Sequence, residues 1–273
     1  MTATLEYLSD LVRRYSGIQI PEEKFYLFDN RLHPVLKKHA LPALEDLAVR
    51  LRGNPSGPLF SDLIDAMTTN ETYFFRDKKP FDELANAILP LLPAGATGAG
   101  TLRIWSAACA TGQEAYSTAM LLSEDGWVDR GGRVEILATD ISGHALQRGM
   151  DAVYSTHEVQ RGLPAEYLGK YFEPINGDWR IQAALRQMVR FEKLNLLEPV
   201  FGIGRFDVIF CRNVLIYFDV PTKMQILKQL HRHLAPGGVF SLGGAETPIG
   251  LTDLYEPAIP GGFWWRARSA SQA

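Results

Sequence analysis

From Leu102 to Leu242 short apolar, β-rich runs alternate with stretches of helical periodicity. That alternation restricts this part of the chain to a mostly parallel sheet covered by helices on both faces. The spacing predicts strands at 102–107, 134–138, 189–192, 206–211 and 239–242. It predicts helices from Glu114 to about Glu124 and from about Pro221 to Leu234, with Gly237–Gly238 turning the chain into the last strand. An insertion at about 151–188 interrupts the pattern. Within it Tyr171 to Pro174, the pair Asn176–Gly177, and Trp179 to Ile181 spell a β-hairpin, because Asn–Gly suits the positive φ angles of a tight turn. Such a hairpin is either a plain sheet edge or a surface for strand addition.

The first eighty residues have a different texture. Leu5, Leu8, Leu11, Val12 and Tyr15 recur at helical spacing, with Gly17 as a stop. Pro21 followed by Glu22 and Glu23 starts a second helix, whose face is Phe25, Phe28, Leu32, Val35 and Leu36 and which Pro34 is expected to kink or divide. Leu44, Leu47 and Leu51 form a third stripe, and Leu59, Phe60, Leu63, Ile64 and Met67 a fourth. With 273 residues, 46% of them hydrophobic, the chain holds about two domains with cores of their own. The reading is an all-helical unit at 1–80 and an α/β unit at 81–273, with the Ala- and Gly-rich stretch Pro93 to Gly100 as a flexible join. Arg31, His33, Lys37, Lys38 and His39 form a run with no acid among them, either a solvated helix face or a dock for an acidic partner helix.

Composition removes several functions. A net charge of −3 offers no general basic field for nucleic acid. No run approaches the roughly 18 to 20 apolar residues of a membrane span, and the start lacks the basic-then-apolar order of a secretory signal, so the chain reads as cytoplasmic and not membrane-inserted. Cys109 and Cys211 have no CxxC or Cys/His spacing around them, so neither a disulfide framework nor a metal site is expected.

Ligands of open α/β sheets sit beyond the carboxyl ends of the strands. The first such end is WSAACATGQE, Trp105 to Glu114, where Gly112 lets backbone approach a ligand and the next helix start offers free N–H groups, or where the chain simply turns. At the second, Asp140 either accepts both hydroxyls of a ribose or caps a helix. At the third, Asn195 of Asn195-Leu196-Leu197 reads an adenine edge or makes a turn, and the fourth runs from Phe210 to Asp219. There is no P-loop lysine and no GxGxxG cradle, which disfavours ATP, GTP and NAD. A nucleoside without phosphates fits better. S-adenosylmethionine is such a ligand, with a ribose for Asp140, an adenine, and a methionine carboxylate for the helix start.

TTNETYFFRD (68–77), WSAACATGQEAYS (105–117), ATDIS (138–142), and NLLEP (195–199) followed by FDVIFCRNVLIYFD (206–219) resemble, in this order, the blocks of the CheR-type chemotaxis-receptor glutamate methyltransferases. The resemblance covers nearly the whole chain. It implies a Rossmann-like S-adenosylmethionine-dependent methyltransferase domain with a small all-helical N-terminal domain and an inserted β-hairpin subdomain. It implies transfer to glutamate side chains on the helical cytoplasmic domain of chemoreceptors, leaving S-adenosylhomocysteine. It also implies site residues: Asn70, Thr72 and Arg76 as cofactor or active-site contacts, Glu114 and Asp140 as cofactor carboxylates, Asn195 with Leu196 and Arg212 with Asn213 as the rest of the pocket, and Tyr217 beside the methyl group. Gln113 stands where the family often has an acid, and Pro34 interrupts the helix that in the family carries receptor-facing basic residues. Some members grip a C-terminal receptor pentapeptide with the hairpin. The short Ile175–Asp178 turn is unlike their glycine-richer loop, so a tether-independent enzyme, monomeric by default, is expected.

A glutamate carboxylate, with an ordinary pKa of about 4.3, is ionised at neutral pH and needs no general base to attack an activated methyl group. Positioning then supplies most of the catalysis. Arg76 is expected to hold a carboxylate, of the glutamate or of the cofactor, unless it forms only a surface salt bridge. Tyr217 is expected to orient the glutamate with its ring near the sulfonium, unless it only packs. His144 and His157 have no required role, and Cys109 and Cys211 close neighbouring strands and either fill small buried volumes or, being near the pocket, make the enzyme thiol-sensitive. Two rivals are a Rossmann-like methyltransferase acting on a small molecule or RNA, and a non-catalytic module that senses the cofactor or a nucleotide.

Overall fold

The structure, a computed structural model, describes residues 2–92 and 100–268. Nearly all of the expected join at Pro93 to Gly100 lies outside the described residues. The chain opens with helices α1 (Thr2–Ser16), α2 (Tyr26–Lys38), α3 (Leu44–Gly53) and α4 (Gly57–Met67), followed by a short α5 (Lys79–Glu83). Leu8, Val12, Phe28, Leu32, Leu47, Leu51, Leu63 and Met67 from the first four helices are buried in one core, the periodic apolar positions having turned inward. Pro21 starts only a 3₁₀ turn, Glu22–Lys24, before α2 begins. Helix α2 then runs unbroken through Pro34. The carbonyl that Pro34 leaves without a donor is that of Asn30, an exposed residue on the solvent side of the helix, while Leu32 and Val35 are buried on its other face.

The rest of the chain follows as β1 (Thr101–Ala107), α6 (Gln113–Glu124), β2 (Arg133–Asp140), α7 (Gly143–Asp151), β3 (Val153–Tyr154), α8 (Thr156–Gln160), α9 (Ala165–Tyr171), β4 (Phe172–Ile175), β5 (Asp178–Ile181), α10 (Ala183–Arg186), β6 (Val189–Lys193), β7 (Phe206–Phe210), α11 (Val220–His233), β8 (Leu234–Ser241), β9 (Tyr255–Pro257) and β10 (Trp264–Ala267). A seven-stranded sheet has the order β6-β2-β1-β7-β8-β10-β9. Its first five strands are parallel, and β10 joins antiparallel to both β8 and β9. Alternation along β1 sends Leu102 and Ile104 into one core and Trp105 and Ala107 into the other, so both faces are covered. The chain reverses its direction of travel across the sheet between β6 and β7, which makes the carboxyl ends of β1, β2 and β7 the place for a ligand.

The inserted hairpin forms as its residues require: β4 and β5 pair around Asn176 and Gly177, whose φ angles are 51° and 87°. Strands β9 and β10 have no counterpart in the sequence reading. They are three and four residues long, too short for an alternation to register. Trp264 of β10 is nonetheless fully buried, and its Nε1 donates to the Pro80 carbonyl at 3.1 Å, tying the last strand to the segment that leaves the helical unit.

Because Pro34 is exposed, Pro34→Ala is expected to raise the stability of the helical unit by about 1–3 kcal/mol. Thermal unfolding followed by circular dichroism measures it. An unchanged or lowered midpoint would contradict the account of α2.

Candidate active site

The carboxyl end of β1 leads into a tight turn, Ala108 to Gly112. Ala108, Ala110 and Gly112 adopt φ angles of 57°, 49° and 92°, a conformation that costs alanine of order 1–2 kcal/mol per residue. Neighbours hold the turn in place. The Cys109 N–H donates to the Thr139 carbonyl at 2.9 Å, the Ala110 N–H to Asp140 Oδ2 at 2.9 Å, and the Tyr154 hydroxyl to the Thr111 carbonyl at 2.8 Å. Gly112 serves packing: a Cβ there would stand 3.0 Å from the Phe191 ring and 3.3 Å from Gly149 Cα. Glycine is thus required by the turn and by the strand behind it, and Gly112 does not line the cleft.

Asp140 ends β2 and is 5% exposed. Its Oδ1 accepts from the Ser142 N–H at 2.9 Å, and its Oδ2 takes the Ala110 bond. The capping reading falls to a neighbour, since Ser142 is the residue that caps α7, accepting from the Ala145 N–H. Burial pushes the Asp140 carboxyl above its usual range, with the backbone N–H groups acting against the shift.

Glu114, in the first turn of α6, is half-buried, and its pKa is likewise raised by desolvation against the pull of Arg212. Its Oε1 accepts from Ser106 Oγ at 2.7 Å, and its Oε2 lies 3.2 Å from Nη1 of Arg212. The Arg212 side chain is 1% exposed. Its Nη2 donates to Asp77 Oδ2 and to the Arg76 carbonyl, each at 2.8 Å, so two residues assigned to a cofactor are first of all partners of each other.

Residues 68–78 cross the cleft as a strap between the helical unit and α5. Arg31 Nη1 donates to the carbonyls of Met67 and Thr68, the Asn70 amide to Thr68 Oγ1 at 3.2 Å, and the Phe75 N–H to Ser117 Oγ at 2.9 Å. Phe74 is buried with its ring 5.0 Å from that of Tyr154. Arg76 Nη1 donates to the Glu71 carbonyl at 2.7 Å, and its guanidinium lies 5.7 Å from the Tyr73 ring. On the opposite wall the Asn195 amide donates to the Tyr15 carbonyl at 2.7 Å, and its oxygen accepts from the Leu197 N–H at 3.1 Å. Asn195 therefore makes the turn and also ties the end of α1 to the sheet. Tyr217 sits on a 3₁₀ turn, Leu215–Tyr217, entered through Asn213 at a φ of 57°.

Asn70, Thr72, Arg76, Glu114, Asp140, Asn195, Leu196, Arg212, Asn213 and Tyr217 all line one cleft. The cleft is open to solvent at its mouth and is walled by both polar and apolar side chains. Ser16, Ile18 and Phe218 also line it and were missed by the sequence reading. Their one signal was Gly17, which does more than stop α1, since a Cβ there would stand 2.9 Å from the Phe218 ring. Arg212 Nε and Asn213 Oδ1 are buried without a hydrogen-bond partner. Together with the Asp140 carboxylate they form a donor and acceptor set suited to a polar nucleoside and an amino-acid carboxylate.

Several other expectations change. Of the basic run on α2, Arg31 binds the strap, and Lys38 and His39 pair with Asp62 at 2.8 and 2.6 Å, leaving His33 and Lys37 as its exposed remainder. Cys109 and Cys211 are buried, as fillers of the core, and desolvation pushes both thiols well up, which favours that reading over thiol sensitivity. Neither His144 nor His157 lines the cleft. Among the described residues no His, Cys, Asp and Glu cluster could hold a metal ion, and no helix is long and apolar enough to cross a membrane.

Comparison with known proteins places this geometry. The family model "CheR methyltransferase, SAM binding domain" matches residues 70–258, and "CheR methyltransferase, all-alpha domain" matches residues 3–68. The chain is 40% identical over 246 residues to the chemotaxis protein methyltransferase Cher2 of Pseudomonas putida, covering 88% of each. It is 40% identical over 258 residues to chemotaxis protein methyltransferase 1 of Pseudomonas aeruginosa, covering 93% of each. With the chemotaxis protein methyltransferase of Vibrio parahaemolyticus it shares 39% over 243 residues, or 88% of this chain and 87% of that one.

A carboxylate must be ionised to accept two hydroxyls. S-adenosylhomocysteine affinity is therefore expected to fall as the pH drops through the raised Asp140 range, beginning above the pH at which an ordinary aspartate protonates. Asp140→Asn is expected to bind about 10- to 100-fold more weakly and to flatten that dependence. Stability responds with the opposite sign. A raised folded-state pKa makes the ionised Asp140 a cost at neutral pH, a cost relieved as the pH falls through that value. Calorimetric titration at several pH values reads the affinities, and a pH-independent wild type would contradict the assignment.

Proposed function

The chain belongs to the CheR methyltransferase family, and we propose that it uses S-adenosylmethionine to convert glutamate side chains on the helical cytoplasmic domain of chemoreceptors into methyl esters. The observation that carries this reading is the meeting, in one cleft, of a buried carboxylate at the tip of β2, a buried guanidinium from the loop after β7, and the exposed side of the strap with Arg76. When bound, the cofactor supplies a methyl carbon already activated by a positive sulfur.

The protein's own residues then have positioning work to do. The Asp140 carboxylate accepts from the Ala110 and Ser142 N–H groups and has acceptor capacity left for ribose hydroxyls. Arg212 keeps Nε unpaired, and its pairing with Glu114 and Asp77 fixes the guanidinium, so that this donor is available at small entropic cost. The Asn195 turn presents Leu196 to the same space. Arg76 spends one N–H on the Glu71 carbonyl and has four left, enough for a bidentate grip on a carboxylate. Tyr217 stands on the facing turn, placed to orient the incoming side chain. An ionised glutamate needs no base, so this constellation, with no acid/base pair, suits the reaction.

In this reading the chain divides near residue 80, and the helical unit meets the receptor. His33 and Lys37, exposed on α2, support contact with an acidic helix through fewer charges than the basic run contains. The hairpin supports independence from a peptide tether. In the inserted sheet, of order β3-β5-β4, strand β4 is an edge. The bond from the Gln182 N–H to the Tyr171 carbonyl sets the alternation, so that Phe172 and Pro174 face away from β5. The Phe172 N–H is already bound to the Leu168 carbonyl, and Pro174 has none, so the edge offers no free donor to an added strand.

The deciding experiment incubates the protein with methyl-labelled cofactor and receptor cytoplasmic fragments, then treats the product with mild base. Carboxyl esters release volatile labelled methanol. Label that survives base would indicate another acceptor, and cofactor binding without transfer would indicate a sensor. In the same assay Arg76→Ala is expected to lose at least about 100-fold in rate with an unchanged circular dichroism spectrum. Near-normal turnover would remove Arg76 from the mechanism.

A further inference from the structure

Glu246 lies outside the cleft, four residues past the last strand residue Leu242 of the sequence reading, and neither its position nor a motif marks it. Its carboxylate is nevertheless engaged by three backbone donors. Oε2 accepts from the Gly243 N–H at 2.6 Å and from the Asn213 N–H at 2.8 Å, and Oε1 accepts from the Ile216 N–H at 3.2 Å. The first of these is local, closing the loop after β8. The other two belong to the loop after β7 and bracket the start of the 3₁₀ turn that carries Tyr217.

Free N–H groups at the start of a helical turn need an acceptor, and a carboxylate is the strongest one available. A helix normally takes that acceptor from its own N-cap residue. Here the position before the turn is Val214, which has none to give, and the turn makes no side-chain cap bond of its own. Asn213 cannot relax into an ordinary turn either, because it is held at a φ of 57°. A Cβ on Gly243 would stand 2.7 Å from both Glu246 Oε2 and Asn213 Nδ2, so the joint between the two loops is closed to any side chain.

We propose that Glu246 is a positioning residue for methyl transfer, an acceptor lent by the loop after β8 that fixes the Asn213–Tyr217 turn and so sets where Tyr217 stands in the cleft. The inference rests on the assignment of Tyr217 to the transfer site. It predicts that Glu246 acts on turnover through Tyr217, with a smaller effect on cofactor affinity. A residue that merely supported the fold would lower both together, and its effect would not depend on which side chain stands at 217.

The test is a double-mutant cycle in the full chain on kcat for receptor-fragment methylation, with S-adenosylhomocysteine affinity measured in parallel. E246Q, which replaces one acceptor oxygen with an N–H₂ facing backbone donors, is expected to lower kcat roughly 10- to 100-fold while changing that affinity by less. In a Y217F background the same substitution is expected to cost far less, because the group it positions is gone. Should E246Q prove unfolded, Gly243→Ala displaces the same carboxylate and is read in the same way. Unchanged kcat in a folded variant, a loss confined to cofactor affinity, or full additivity with Y217F would overturn the proposal. Absence of transfer by the wild type would instead remove the reading of the site on which it stands.

Discussion

A guanidinium almost sealed from solvent holds the cleft together. Arg212, from the loop after β7, reaches Glu114 at the start of α6, and Asp77 and the Arg76 carbonyl in the strap. One side chain thus joins the sheet, a helix that packs on it and the segment that arrives from the helical unit. Removing Glu114, the less exposed of its two acidic partners, costs up to about 3–5 kcal/mol, because Arg212 is left charged and poorly solvated. The strap that carries Asn70, Thr72 and Arg76 is therefore fixed relative to Asp140 by an interaction whose loss the fold feels directly. A site that works by placing two reactants rather than by moving protons requires that kind of fixity.

The backbone tells the same story. Ala108 and Ala110 precede α6, Phe75, Asp77 and Lys78 lie in and beside the strap, and Asn213 begins the Tyr217 turn. Each is a non-glycine residue with φ between 45° and 66°. Such residues persist only where surrounding contacts over-determine them, and here those contacts are identifiable: Asp140 for Ala110, Ser117 for Phe75, Arg212 for Asp77, Glu246 for Asn213. The strain is concentrated at the carboxyl ends of the strands, where a parallel sheet leaves its ligand space.

Much of this was readable from residues alone, for physical reasons. The parallel strands are apolar runs and the hairpin turn is Asn–Gly, both local signals that survive without neighbours. The strand-end residues follow from a topological rule. What escaped depends on contacts distant in sequence. The pairing of Glu114 with Arg212 spans 98 positions, and the spending of Arg31, Lys38 and His39 inside the helical unit is invisible in a run that merely looks basic. Gly112 looked like a ligand contact and proved to make room for Phe191. Pro34 was expected to kink or divide α2, and with Leu32 and Val35 buried the helix is not divided there. Strands β9 and β10 needed the edge of β8 to exist at all.

The central claim is that Asp140 and Arg212 together seat one nucleoside, with its reactive end toward Arg76 and Tyr217. A crystal structure with S-adenosylhomocysteine tests it most directly. The account predicts both ribose hydroxyls on the Asp140 carboxylate and the sulfur directed toward the space between Arg76 and Tyr217. A ribose held elsewhere, or a sulfur turned from those two side chains, would contradict it.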